Sequence, residues 1–163
     1  MTENGENQHV SSDVIPALDQ HGLLPIGIHD CTLAEIGASY CWTNRRQEIF
    51  AGLCNFITQE WLPLNLGVPL YIDGSFVRNK PVPDDVDVVM ELSSIQNHMQ
   101  LSQGMALWLR NRELKAIYNV DVWPRHPMTG NDLAAFFQYI GEKAAAELKL
   151  PVRHPKGILR VHP

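Results

Sequence analysis

Two aspartates separated by one residue open the apolar run DVDVVMEL at residues 85–92. If this run is a strand, Asp85 and Asp87 project from one face, while Val86 and Val88 point to the other. Neighbouring carboxylates repel each other unless a cation neutralises them. Carboxylate oxygens suit a hard divalent ion, so the pair predicts a site for Mg²⁺ or Mn²⁺. The alternative is an Asp-x-Asp that only ends a loop.

A third aspartate, Asp121, interrupts the apolar stretch YNVDVW at residues 118–123. Val120 and Val122 share one face of a strand, which leaves Asp121 on the opposite face. If this strand lies beside the strand that begins at Asp85, the three carboxylates converge on one metal site. Trp123 would lie on the same face as Asp121, where it either packs in the core or stacks on a base.

Gly74 and Ser75 follow the apolar run VPLYID, which reads as a buried strand. Glycine lets a backbone approach a ligand closely, and the amides of a tight turn can bind phosphate. Arg78 and Lys80 lie in the next loop, where they contact phosphate or remain solvated. Lys156, in the KGILR tail, is predicted to fold back as a phosphate ligand.

The chain must supply elements that position these groups. Hydrophobic periodicity predicts helices at about 45–61, 93–112 and 131–148, and strands at 68–73, 85–92, 116–123 and 157–161. Thr32 and Glu35 form a capping-box pattern at a further short helix. The fold class is therefore α/β (α+β), a mixed β-sheet with flanking helices. Residues 1–13 read as a disordered tail, and 14–163 as a single minimal domain.

Composition narrows the functional classes. A net charge of −5 over 163 residues argues against broad nucleic-acid binding. Three cysteines, an odd number, suggest reduced and mostly buried thiols. The chain has no apolar stretch of roughly 20 residues, so no membrane contact is expected, and a cytoplasmic location is the simplest prediction. An arm with Leu23, Leu24 and Ile26 covers either its own core or a neighbouring subunit, which leaves a homodimer open.

The spacing of Gly74-Ser75, nine intervening residues and Asp-x-Asp resembles the motif of the nucleotidyltransferase superfamily, which has the DNA polymerase β-like fold. The strings GLLPIGIHDCTLAEI and KGIL also resemble a group of small bacterial and phage proteins with this fold. The resemblance implies that Asp85, Asp87 and Asp121 are the catalytic, metal-binding triad, and that Gly74 and Ser75 hold the outer phosphates. Asp121 would act as general base or position the nucleophile. Prolines leave room for only one or two helical turns between the two motifs.

The activity implied by this resemblance is Mg²⁺-dependent transfer of a nucleoside monophosphate from an NTP, ATP among them, to a hydroxyl. The acceptor is a protein, an RNA end or a small molecule, and the context a toxin–antitoxin or phage-defence system. The alternative is a non-catalytic nucleotide-binding or protein-interaction module on the same fold. A basic residue that caps Asp121 would favour this alternative.

Overall fold

A computed structural model describes residues 15–163, so the predicted tail at residues 1–13 lies outside the described part of the chain. The strands are Gly27–Asp30 (β1), Leu70–Asp73 (β2), Val86–Glu91 (β3), Val120–Arg125 (β4) and Gly157–Val161 (β5). They form one sheet in the order β1-β5-β2-β3-β4. β2 is antiparallel to both of its neighbours, whereas the pairs β1–β5 and β3–β4 are parallel.

Helices flank this sheet. They are Leu33–Tyr40 (α1), Asn44–Phe56 (α2), His98–Leu109 (α3), Asn111–Tyr118 (α4), Leu133–Phe136 (α5) and Glu142–Leu148 (α6). The structure is therefore a mixed α/β domain, as the sequence predicted. Within residues 15–163, no helix is both long enough and apolar enough to cross a bilayer.

Strand alternation divides the buried residues between the two faces of the sheet. Val86, Val88, Val120 and Val122 are fully buried in the main core with α1, α2 and α4. The opposite face carries a smaller cluster around Tyr71 and Val89, which the α5 segment covers. Because side chains alternate along a strand, the aspartates between the valines must face the smaller cluster.

The capping and turn predictions are confirmed. Thr32 and Glu35 form the capping box of α1, and the Thr43 side chain caps α2. Helix α2 continues through a π-helical turn at Ile57–Trp61, so its predicted extent holds. A single 3₁₀ turn, Gly74–Val77, separates β2 from the proline-rich loop.

Three predicted elements are wrong in their bounds. The helix predicted at about 93–112 begins at His98 and ends at Leu109, and α4 follows from Asn111 as a separate helix. Residues 116–118, predicted as strand, are the last turn of α4, which ends where Asn119 adopts a left-handed conformation with φ 56°. The predicted helix at 131–148 is divided into α5 and α6, because residues 138–140 pair with residues 154–156 instead. The Ile140 amide donates to the carbonyl of His154 at 3.0 Å, and the Lys156 amide donates to the carbonyl of Gln138 at 2.9 Å.

The N-terminal arm covers the core of its own chain. Leu23 and Leu24 are buried, and the arm continues into β1, a strand that the sequence did not predict. β1 pairs in parallel with β5, from Gly27 opposite Gly157 onward. Ile26 remains exposed, and the homodimer stays a prediction. The three cysteines are free thiols of intermediate burial.

Candidate functional site

The register of the sheet places three carboxylates in one row. Asp73 at the end of β2 lies opposite Asp87 in β3, and Asp87 lies opposite Asp121 in β4. Residues paired across neighbouring strands project to the same face. Asp85 immediately precedes β3. The structure thus brings together the three predicted aspartates and adds Asp73.

Lys115, on the last turn of α4, neutralises two of these carboxylates. Its Nζ lies 2.6 Å from Asp85 Oδ2 and 2.8 Å from Asp121 Oδ2. Burial opposes the charged ammonium, but its hydrogen bonds to Asp121 and Asp85 outweigh this and raise the pKa of Lys115. Asn111 holds Asp121 from the same helix: its Nδ2 donates to Asp121 Oδ1 at 2.6 Å, and its Oδ1 accepts from the Val122 amide.

The contacts of Asp85, Asp121 and Lys115 are relevant to the predicted metal site. No group of three His, Cys, Asp or Glu side chains within residues 15–163 is arranged to hold an ion. Yet Asp85 and Asp121 already share one cation, the Lys115 ammonium, through hard oxygen donors. The Lys115 side chain is partly exposed. These donors are of the kind that a divalent ion prefers, and a metal in place of the ammonium stays a prediction.

Asp87, in the middle of the row, lacks a cationic partner. No basic side chain of the described chain forms a salt bridge with it, whereas Lys115 and Lys156 neutralise its neighbours. Burial raises the pKa of Asp87 to about 7, and the charges of Asp85, Asp73 and Asp121 add to this effect. The Trp123 indole donates a hydrogen bond to Asp87 Oδ1 at 3.2 Å, and this bond partly offsets the rise in the pKa.

The raised pKa of Asp87 predicts a pH-dependent stability. The folded state binds this proton more tightly than the unfolded chain, in which the pKa is near 3.8, so the stabilisation is lost as pH rises through about 7. In the presence of a chelator, the melting temperature should fall by several degrees between about pH 5 and about pH 8. The melting temperature of Asp87→Asn should fall less over this pH range, because the variant lacks the buried charge. Thermal unfolding at each pH tests this, and parallel curves would contradict it.

Gly74 is required where β2 meets this row. Its φ is +80°, a left-handed conformation that side chains rarely adopt, and a Cβ atom there would lie 1.9 Å from Asp87 Oδ2. Gly74 and Ser75 line a cavity of about 270 Å³ together with Asp85 and Asp87. The predicted phosphate turn, Asp85 and Asp87 thus face the same cavity, whose lining does not include Asp121.

Gly74→Ala should destabilise the fold by about 2–3 kcal/mol, because the left-handed strain adds to a steric clash with Asp87. Gly130→Ala is the matched control. Gly130 has a similar φ of +74°, but a Cβ atom there meets no atom within 4 Å. Gly130→Ala should lose only the folding free energy that the left-handed strain costs, about 1 kcal/mol. Urea unfolding of both variants gives the difference, and equal losses would show that the contact with Asp87 does not matter.

The predicted phosphate-binding side chains Arg78 and Lys80 line the same cavity, but each has acidic partners. The Arg78 guanidinium pairs with Glu147 of α6. Lys80 Nζ lies 3.7 Å from Asp84 and 3.9 Å from Glu147. Lys143, which the sequence did not suggest, also lines the cavity and pairs with Asp84 at 3.2 Å. Phosphate contact by Arg78 and Lys80 stays a prediction.

The structure gives Lys156 a second role. Its buried Nζ donates to both carboxylate oxygens of Asp73 and, at 2.7 Å, to the Phe137 carbonyl. Burial raises the pKa of Asp73 to about 6, although the ion pair with Lys156 opposes this rise. Lys156 lines the cavity, but its ammonium already has these acceptors. A phosphate would have to replace one of them.

Arg46 is a further residue whose role the sequence analysis missed. Its side chain is fully buried, and its guanidinium donates to the carbonyls of Tyr40 and Phe76 and, at 2.6 Å, to that of Lys80. It therefore fixes the loop between Gly-Ser and Asp-x-Asp. Burial lowers its pKa to about 10. The available signal was its place on the apolar face of α2, three residues before Ile49.

Lys115 and Asn111 were missed for a different reason. Both belong to α4, which the hydrophobic pattern merged with the preceding helix at its start and assigned to a strand at its end. Asp73 could have been found by the argument applied to Asp121, since it too is an acidic residue in an otherwise buried strand.

The fold and the site define a class: a mixed α/β domain with clustered carboxylates at one end of three adjacent strands. The chain belongs to the family of unknown function DUF6932, which matches it over residues 16–162. Neither the curated proteins nor the solved structures contain a match to the chain.

Proposed function

We propose that this protein is a metal-dependent nucleotidyltransferase, with the nucleotidyltransferase fold, that moves a nucleoside monophosphate from an NTP to a hydroxyl. One observation carries this proposal. Asp87 and Asp121 are paired in register, and the carboxylates of Asp85 and Asp121 lie 2.6 and 2.8 Å from a single cationic nitrogen. Carboxylates arranged to share a cation are what this chemistry requires.

Asp85, Asp87 and Asp121 would hold Mg²⁺ or Mn²⁺ once the Lys115 ammonium has moved away. The bound ions would neutralise charge on the phosphates and help to activate the attacking hydroxyl. Asn111 would keep Asp121 oriented, as hydrogen-bonded neighbours of metal ligands commonly do. Burial and the repulsion from neighbouring carboxylates raise the pKa of Asp87, and a bound cation would offset both effects.

The other wall of the cavity suits the outer phosphates. Gly74 lets the backbone approach them, and the Ser75 hydroxyl adds a hydrogen-bond donor. Arg78, Lys80 and Lys143 supply positive charge within reach of the same cavity. Asp121 lies on the β4 side, where it would position the acceptor hydroxyl or take its proton. The acceptor remains a protein, an RNA end or a small molecule.

The same ion pairs also support a second candidate, because a basic residue that caps Asp121 was expected to favour a non-catalytic module. Lys115 caps Asp121 and Asp85, so both carboxylates are neutralised without any metal. A domain in which Lys115 stays in place would be a non-catalytic nucleotide-binding or protein-interaction module.

Metal affinity separates the two candidates. If a divalent ion displaces Lys115, Lys115→Met should bind Mn²⁺ roughly tenfold more tightly than wild type, which corresponds to about 1.4 kcal/mol. Lys143→Met is the matched control, because Lys143 pairs with the exposed Asp84 instead, and its affinity should equal that of wild type. Isothermal titration calorimetry measures all three proteins. Absence of Mn²⁺ and Mg²⁺ binding to all of them would favour the non-catalytic module.

A further inference from the structure

A second cavity, of about 460 Å³, lies beside the carboxylate site. Its lining includes four aromatic side chains, an arginine and an asparagine: Trp123, Phe136, Phe137, Tyr139, Arg153 and Asn131. This volume falls within the range of about 300–1,000 Å³ that is usual for ligand pockets. We call this cavity the aromatic recess.

The aromatic recess adjoins the carboxylate cavity. Phe136, Phe137 and Tyr139 line both cavities. Trp123 links them from the sheet side, since its indole nitrogen donates to Asp87 while its ring lines the recess. A molecule whose charged end contacts the carboxylate site can therefore place a second group in the recess without leaving the protein surface.

Two rings of the recess, those of Phe136 and Tyr139, are exposed. Phe136 is 63% exposed and Tyr139 is 40% exposed, although large aromatic side chains are usually well buried. The Arg153 guanidinium lies over the Tyr139 ring, 5.1 Å from its centroid. Exposed Asn131 offers both a donor and an acceptor at the rim. Aromatic faces with an amide at the edge suit a flat ring with polar edges.

We propose that the aromatic recess binds the nucleobase of the nucleotide whose phosphates face Gly74 and Ser75. This inference rests on the proposed function for the phosphate half of the ligand. The recess itself needs no metal, because it holds the base by stacking, which is tolerant of base identity. It also supplies a base-binding surface from the α5 segment and Arg153 of this same chain.

Three probes test the two halves separately: adenosine, inorganic tripolyphosphate and the non-hydrolysable α,β-methylene analogue of ATP, each with Mg²⁺. Phe136→Ala should weaken the binding of the ATP analogue and of adenosine roughly tenfold, the effect expected for one lost stacking contact. It should leave the binding of tripolyphosphate unchanged. Phe136 is exposed, so the variant should fold. Met128→Ala is the matched control, since Met128 is 79% exposed, lies nearby in the chain and does not line the recess.

The outcomes are distinct. Asp85→Asn should weaken the binding of tripolyphosphate and leave the binding of adenosine unchanged. If Asp85→Asn binds both probes as wild type does, the proposed function fails while the base-binding role of the recess stands. If adenosine does not bind the wild-type protein, or if Phe136→Ala and Met128→Ala behave alike with the ATP analogue, the recess does not hold the base. Either result would overturn the inference.

Discussion

Transfer of label from an α-labelled NTP to its acceptor should fall roughly a hundredfold or more in Asp85→Asn. Under the proposed function Asp85 is a metal ligand, and a bound metal stabilises the transition state by several kcal/mol. Asparagine keeps the shape of the side chain but removes the charge that a divalent ion requires. The measurement is a labelling screen with Mg²⁺ and a cell lysate as the source of acceptor. The screen detects transfer to whichever molecule in the lysate receives the nucleotide.

Asp84→Asn is the control for this experiment. Asp84 is the immediate neighbour of Asp85, but it is exposed and pairs with Lys80 and Lys143 rather than with Lys115. Its variant should label the acceptor as wild type does. Equal labelling by wild type and Asp85→Asn would exclude transfer through this site, and the non-catalytic module would become the better account.

Lys156→Met should cost about 3–5 kcal/mol of folding free energy, because it leaves the Asp73 carboxylate buried without its partner. The variant also removes the hydrogen bond to the Phe137 carbonyl, which ties the α5 segment to the sheet. Urea unfolding with far-UV circular dichroism measures the loss.

Lys143→Met provides the contrast. Lys143 and Asp84 form an exposed ion pair, so its loss should cost only about 0–1 kcal/mol. Asp73→Asn/Lys156→Met should be more stable than Lys156→Met alone, because the double variant buries no charge. If Lys156→Met were no less stable than Lys143→Met, the buried pair would not be a major source of stability.

The carboxylate row was largely predictable because it depends on local alternation. Valines on both sides of Asp87 and Asp121 mark the buried face, and this fixes the direction of the aspartates whatever the rest of the fold. Their adjacency needed only one further step, the pairing of β3 with β4. The turn at Gly74 was predictable for the same reason, since glycine and proline act on the backbone around them.

The cations that neutralise the row were not predictable by such local rules. Lys156 meets Asp73 across 83 positions of sequence, through the return of β5 beside β2. Lys115 depends on where α4 ends, and that boundary is set by the left-handed Asn119 rather than by hydrophobic pattern. The aromatic recess likewise depends on the pairing of residues 138–140 with 154–156, which replaces a helix that the pattern favoured.

The ammonium between Asp85 and Asp121 also decides how the protein responds to scarcity of divalent ions. Small metal-stapled domains unfold when their ion is removed, because the ion is part of the folding free energy. Here a side chain of the protein already balances the two charges. Under the proposed function, an arriving ion would therefore exchange with a lysine and would not assemble the domain. Depletion of magnesium would then return the protein to a folded resting state, ready to be loaded again without refolding.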